Sequence, residues 1–302
     1  MKKVFMLMVV LLSVVASYAK GDLHIYSVNN KEGKITPLMI EKAFVKNGFI
    51  IGINSDIHAG LTKNYGESGF KIYNAISLFH STLSLQLLEE QADAGVFVPM
   101  GLAVYQTENE TDLHISFVSA DAQIKILGKE TKLLEEVESS INQVITKFVP
   151  NARHSYSEES LNETRKLLTV YSLNIKDQDW VESKEELEEN FEDAFDEAGF
   201  IMPSYFDFSD EFGKGSPYDF YTTYSICNMD VIKAISKVRP EAVAFAPCTT
   251  MMYKKKGEDK IIMGFSAVYN WLSSAGITDT VSTVTLIKAQ RDFEKVLKDV
   301  TK

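Results

Sequence analysis

The sequence predicts an α+β protein of two tandem units, and three observations carry that prediction. Residues 73–117 and 221–265 align without a gap and keep Tyr73/Tyr221, Ser77/Ser225, Ala94/Ala242, Phe97/Phe245, Pro99/Pro247, Tyr105/Tyr253 and Phe117/Phe265. Upstream, LHIYSVN at residues 23–29 matches LTVYSLN at 168–174, and EKAF at 41–44 matches EDAF at 192–195. A register held over such a stretch marks an internal duplication. Strand and helix patterns then repeat as β-α-β-β-α-β-β-α, a mixture that folds as an antiparallel or mixed sheet with helices on one face. The units are residues 23–149 and 168–302, joined by a linker over 150–167.

The first residues stand apart. Lys2 and Lys3 precede an apolar run from Val4 to Leu12 that continues through Ala16, and Ser17 to Ala19 offer small residues at a cleavage site. That is the pattern of a secretory signal over residues 1–19, cut after Ala19, with a run short for a membrane span. The expectation is a periplasmic or secreted protein with no membrane insertion once the signal is removed. A formal charge of −11 argues against nucleic acid as a partner. With 45% hydrophobic and 24% charged residues the composition is that of a globular chain.

Within unit one, residues 23–28 alternate as a strand. Thr36 caps a helix that opens on Pro37, carries Ile40, Phe44 and Val45 on one face, and stops at Gly48. Residues 49–53 form a second strand and residues 54–69 a polar, glycine-bearing loop. A long strand covers 70–79, and Ser81 or Thr82 caps a helix with Leu83, Leu87 and Leu88. The strand over 96–105 contains Pro99, which cannot donate to a sheet ladder and so implies an edge, a bulge or a strand start. After a turn and the strand 112–119, a helix over 132–148 closes the unit. The linker carries a short helix over 158–168. Unit two repeats the order with strands at 168–173, 200–202, 220–226, 242–253 and 260–268, and helices at 183–198, 230–238 and 283–300. The helix between the two strands at each proline would be a right-handed crossover if those strands were parallel neighbours.

These residues resemble a known family. A long strand ending in Cys227 and Asn228, a helix, and Ala246, Pro247 and Cys248 opening the next strand are similar to the domain of unknown function 302 family, with unit two closer to its pattern. Phe79, His80, Val98, Pro99 and Met100 stand in the matching places of unit one. The resemblance implies a TATA-binding-protein-like α/β sandwich in each unit and pairing of the two. It implies no activity.

Chemistry is sparsely marked. Cys227 and Cys248 fall at the two ends of one strand-helix-strand step, and three readings stay open: a disulfide closing that loop, two separate buried thiols, or a redox or metal pair. Met229, Met251, Met252 and Met263 crowd sulfur near them, so Cys227, Met229, Cys248 and Met251 form a weak candidate set for Cu(I). His80 and Asn228 sit at helix mouths, where they meet a ligand or cap the helix. Pro99 and Pro247, with Tyr221 and Tyr224 from the aromatic stretch 205–224, are further candidates for a groove between units. No nucleophile elbow, phosphate loop or histidine metal spacing occurs. The preferred reading is a non-enzymatic exported protein that binds a small apolar ligand or an envelope partner and acts as a monomer, with no cofactor indicated. The rival is a thiol, copper or redox protein centred on Cys227 and Cys248.

Overall fold

The computed structural model describes residues 20–302, so the signal expected over 1–19 lies outside the described residues. Unit one runs β1 (Leu23–Asn29), α1 (Pro37–Lys46), β2 (Phe49–Asp56), α2 (Ile57–Tyr65), β3 (Phe70–His80), α3 (Leu83–Glu90), a 3-10 turn (Ala92–Phe97), β4 (Met100–Thr107), β5 (Asp112–Val118), α4 (Ala120–Leu127), α5 (Lys132–Phe148) and β6 (Arg153–Tyr156). Unit two runs β7 (Leu168–Asn174), α6 (Trp180–Glu197), β8 (Ile201–Asp207), β9 (Tyr218–Cys227), α7 (Met229–Ser236), a 3-10 turn (Pro240–Phe245), β10 (Cys248–Lys255), β11 (Lys260–Ser266), α8 (Tyr269–Ser274) and α9 (Thr280–Val300).

The duplication is written into the sheets. Unit one orders its strands β2-β3-β4-β5-β1-β6, and unit two orders its own β8-β9-β10-β11-β7. Matching strands occupy matching places, and every pair is antiparallel. The strands flanking each proline are therefore antiparallel neighbours, and no parallel crossover forms. Both prolines immediately precede strands and follow cis peptide bonds.

Strand alternation sends one face of each sheet to its own helices. In unit one Ile76, Leu78, Leu102, Val104, Leu113, Ile115 and Phe117 pack against Ile40 and Phe44 of α1 and Val137, Ile141 and Val144 of α5. In unit two Tyr224, Ile226, Met252, Ile261, Met263 and Phe265 occupy the equivalent sites against α6 and α9. Burying a Leu, Ile or Phe of this kind contributes roughly 1.5–3 kcal/mol. The other face of each sheet is turned to the other unit.

Several local expectations are corrected. The loop expected over 54–69 is mostly helix. Asp56 accepts a hydrogen bond from the Ala59 N–H, Ile57 and Leu61 bury one face, and Gly66 closes α2 in the left-handed region. No helix forms over 158–168; instead, residues 153–156 add β6 to the edge of unit one. Val45 points outward at 54% exposure, because Ile40 and Phe44 already fill the stripe. Thr82 makes no side-chain cap bond.

Candidate functional site

The two units meet along a seam whose contacts come in pairs. Each 3-10 turn packs on the sheet of the other unit. The Tyr73 hydroxyl donates to the Pro240 carbonyl at 3.2 Å, and its counterpart Tyr221 donates to the Ala92 carbonyl. Both tyrosines are fully buried, and that burial holds their hydroxyls well above the ordinary phenol range. Tyr253 donates to Asp93 at 3.1 Å, while its counterpart Tyr105 is raised by burial and then by the nearby Glu241. At the centre the pairing breaks. Thr249 donates to the Pro99 carbonyl at 2.8 Å, but Gly101 takes the matching position. A Cβ on Gly101 would lie 2.1 Å from the Ala246 carbonyl oxygen, so only glycine fits there.

This geometry decides what the candidate residues do. Pro99 and Pro247 lie together in the seam around a cavity of about 20 Å³, and Tyr221 is spent on the seam bond. Tyr224 faces the other way and donates to Glu188 of α6. His80 Nδ1 accepts from the Thr82 and Leu83 N–H groups, both at 3.3 Å. Asn228 Oδ1 accepts from Asp230 and Val231 at 2.9 and 3.3 Å, the same two positions in the copied helix. Both residues cap their helices, and the N–H groups expected to face a ligand are occupied.

Cys227 and Cys248 are free thiols, which corrects the disulfide reading. They line one apolar cavity of about 10 Å³ with Phe200, Ile226 and Trp271, room for about one water molecule. Burial pushes the Cys227 thiol up to about 11, and burial followed by Cys227 raises Cys248 further. The reactive form is the thiolate, so these sulfurs are held in their unreactive state. Among the described residues no cluster of three histidines, cysteines or carboxylates is arranged to hold a metal. Met251 and Met263 are fully buried in the core, filling space as flexible thioethers do.

Open space lies elsewhere on the seam. Between α2 and β3 of unit one and α7 with its following turn in unit two is a cleft of about 450 Å³. Leu61, Tyr65, Phe70 and Pro240 form its apolar walls, and Lys233 of α7 and Lys237 just past its end also line it. Gly60 lets α2 approach, since a Cβ there would stand 3.2 Å from the Met229 methyl. Tyr65 donates to Asp230 at 2.6 Å, and the Lys233 ammonium lies 3.5 Å from the centre of the Tyr65 ring. Sequence reading missed this cleft because α2 was read as loop and no motif marks it. A signal did exist in the repeat: Lys233 and Lys237 align with Leu85 and Glu89.

Fold and seam together define a duplicated antiparallel α+β protein folded back on itself as a pseudo-dimer. Residues 34–148, within unit one, match the family described as domain of unknown function DUF302. The match falls on the unit expected to be the more diverged. The crystal structure of an uncharacterized conserved DUF302 protein from Bacillus stearothermophilus is similar at 16% identity. It covers 45% of this chain and 97% of that one, with a TM-score of 0.33. No curated protein matches the chain. No described helix is long and apolar enough to cross a membrane.

Proposed function

We propose that this chain is an exported, non-enzymatic binding protein whose site is the cleft between α2 and α7. One observation carries the reading: of the two places related by the internal repeat, one side of the seam is open and the other is filled. The open side has a volume in the range of small-molecule sites and mixes apolar walls with a few charges. The filled side holds Phe208, Phe212 and Tyr218 packed on Leu85 and Leu88, with the Tyr218 hydroxyl donating to the Leu88 carbonyl. Thiol chemistry is disfavoured by the raised thiols, which line an apolar cavity, and the helix mouths by their caps. Export is supported by the pattern of residues 1–19.

Native mass spectrometry of protein purified from its own host tests both parts. The expected mass begins at Lys20 and carries a small molecule that is lost when Glu67 at the cleft rim is replaced by Trp. A chain that keeps its first residues inside the cell overturns export. A retained ligand indifferent to Glu67→Trp, or stoichiometric copper, overturns the site.

A further inference from the structure

We infer that the α2/α7 cleft takes an anionic ligand with an aromatic or otherwise flat apolar body, recognised by Lys233 and Lys237; this rests on the cleft being the binding site. The two lysines are four residues apart, Lys233 in the last turn of α7 and Lys237 just past it, and both line the cleft. Some lysines of this acidic chain are ion-paired, as in Lys184 with Glu188, Lys254 with Asp219 and Lys288 with Asp292, and others are not. Among the described residues neither Lys233 nor Lys237 has such a pair, although Glu67 lines the same cleft. Lys233 is held instead over the Tyr65 ring, which fixes a cation in place without neutralising it.

A basic residue near a helix end also answers the helix dipole, and that is the plain alternative. The copied helix argues against it. The last turn of α3 has no basic residue, and its positions matching Lys233 and Lys237 hold Leu85 and Glu89. The charges thus belong to the open side alone. Beside them Phe70, Tyr65, Leu61 and Pro240 offer an apolar, partly aromatic wall suited to a flat body.

The test titrates the mature chain with two fluorescent probes, 8-anilinonaphthalene-1-sulfonate and N-phenyl-1-naphthylamine, which share their rings and differ in the sulfonate. The sulfonate probe is expected to bind more tightly, with an advantage that shrinks as salt rises. Replacing Lys233 and Lys237 together by Gln should weaken it about fivefold or more and leave the neutral probe unchanged. Glu67→Gln should tighten the sulfonate probe, a gain that damage to the fold would not produce. Glu67→Trp should abolish both, with unchanged circular dichroism showing that each variant folds. Equal affinity for the two probes, or equal losses in the lysine variant, overturns the anion while Glu67→Trp still blocks both. If neither probe binds, or Glu67→Trp changes nothing, the cleft itself fails as a site and the anion with it.

Discussion

The two sides of the seam began as copies and now differ in kind. Ser68 and Ser216 still make the same local bonds to the residue two positions on, Phe70 and Tyr218. From there they part. Tyr218 carries a hydroxyl that reaches α3 and shuts its side, while Phe70 stops short and leaves the α2/α7 cleft open. In a symmetric dimer any change appears at both sites, because one sequence makes both. Fusing two copies removes that constraint. One side can then serve packing and the other keep a cavity.

Making the halves alike again is the sharpest way to break the comparison. Gly101→Thr copies the residue at 249 but drives a Cβ into the Ala244 and Ala246 carbonyls, so a loss of about 3 kcal/mol or more, or failure to fold, is expected in denaturant titration. Thr249→Gly, the reverse copy, removes one buried bond and adds backbone freedom, for a smaller loss of about 2 kcal/mol. Equal losses would mean that the seam is not asymmetric at its centre. Tyr73→Phe and Tyr221→Phe each strip a cross-unit donor from a carbonyl and should cost about 1–2 kcal/mol apiece. Were either neutral, its bond would not hold the units together.

Smaller effects separate the halves chemically. Without reductant, Cys227 and Cys248 should resist a thiol reagent at pH 8 and both label once denatured, since burial keeps each thiol protonated. Rapid native labelling would restore the redox reading. All five histidines precede unit two. His24 lies 3.2 Å from Glu138 and 3.0 Å from His154 on β6. Burial works to raise Glu138, but His24, the Ala120 N–H and Lys20 outweigh it and leave the carboxyl below its ordinary value. Its contribution is therefore present above the unfolded carboxylate value and is lost as pH falls through the lower folded one. Glu138→Gln should flatten the fall in melting temperature over that acid range, and an unchanged slope would assign acid sensitivity elsewhere.

Much of the fold was legible in the chain. Identities kept in one register, the period of α5 and the prolines before β4 and β10 all reflect local rules that act residue by residue. The linker strand β6 was not legible, because Arg153–Tyr156 has no strand alternation of its own and forms only against β1. Nor was α2, whose glycines read as turn until Gly60 is seen to admit α7. Among the candidates, His80 and Asn228 stand at the helix mouths as the sequence suggested, yet only the folded chain shows their ring nitrogen and amide oxygen spent as caps.

By itself the sequence determined that one module occurs twice, with the same five core strands and apolar faces, because periodicity and turn chemistry are properties of neighbours along the chain. Tertiary structure alone decided that the two thiols share one apolar cavity, that Tyr221 is a tie between units, and that an open cleft survives on one side only. Those outcomes depend on which surfaces meet across well over a hundred residues of chain. A one-atom difference such as Phe70 against Tyr218 is silent until the helix that it does or does not reach has come into place.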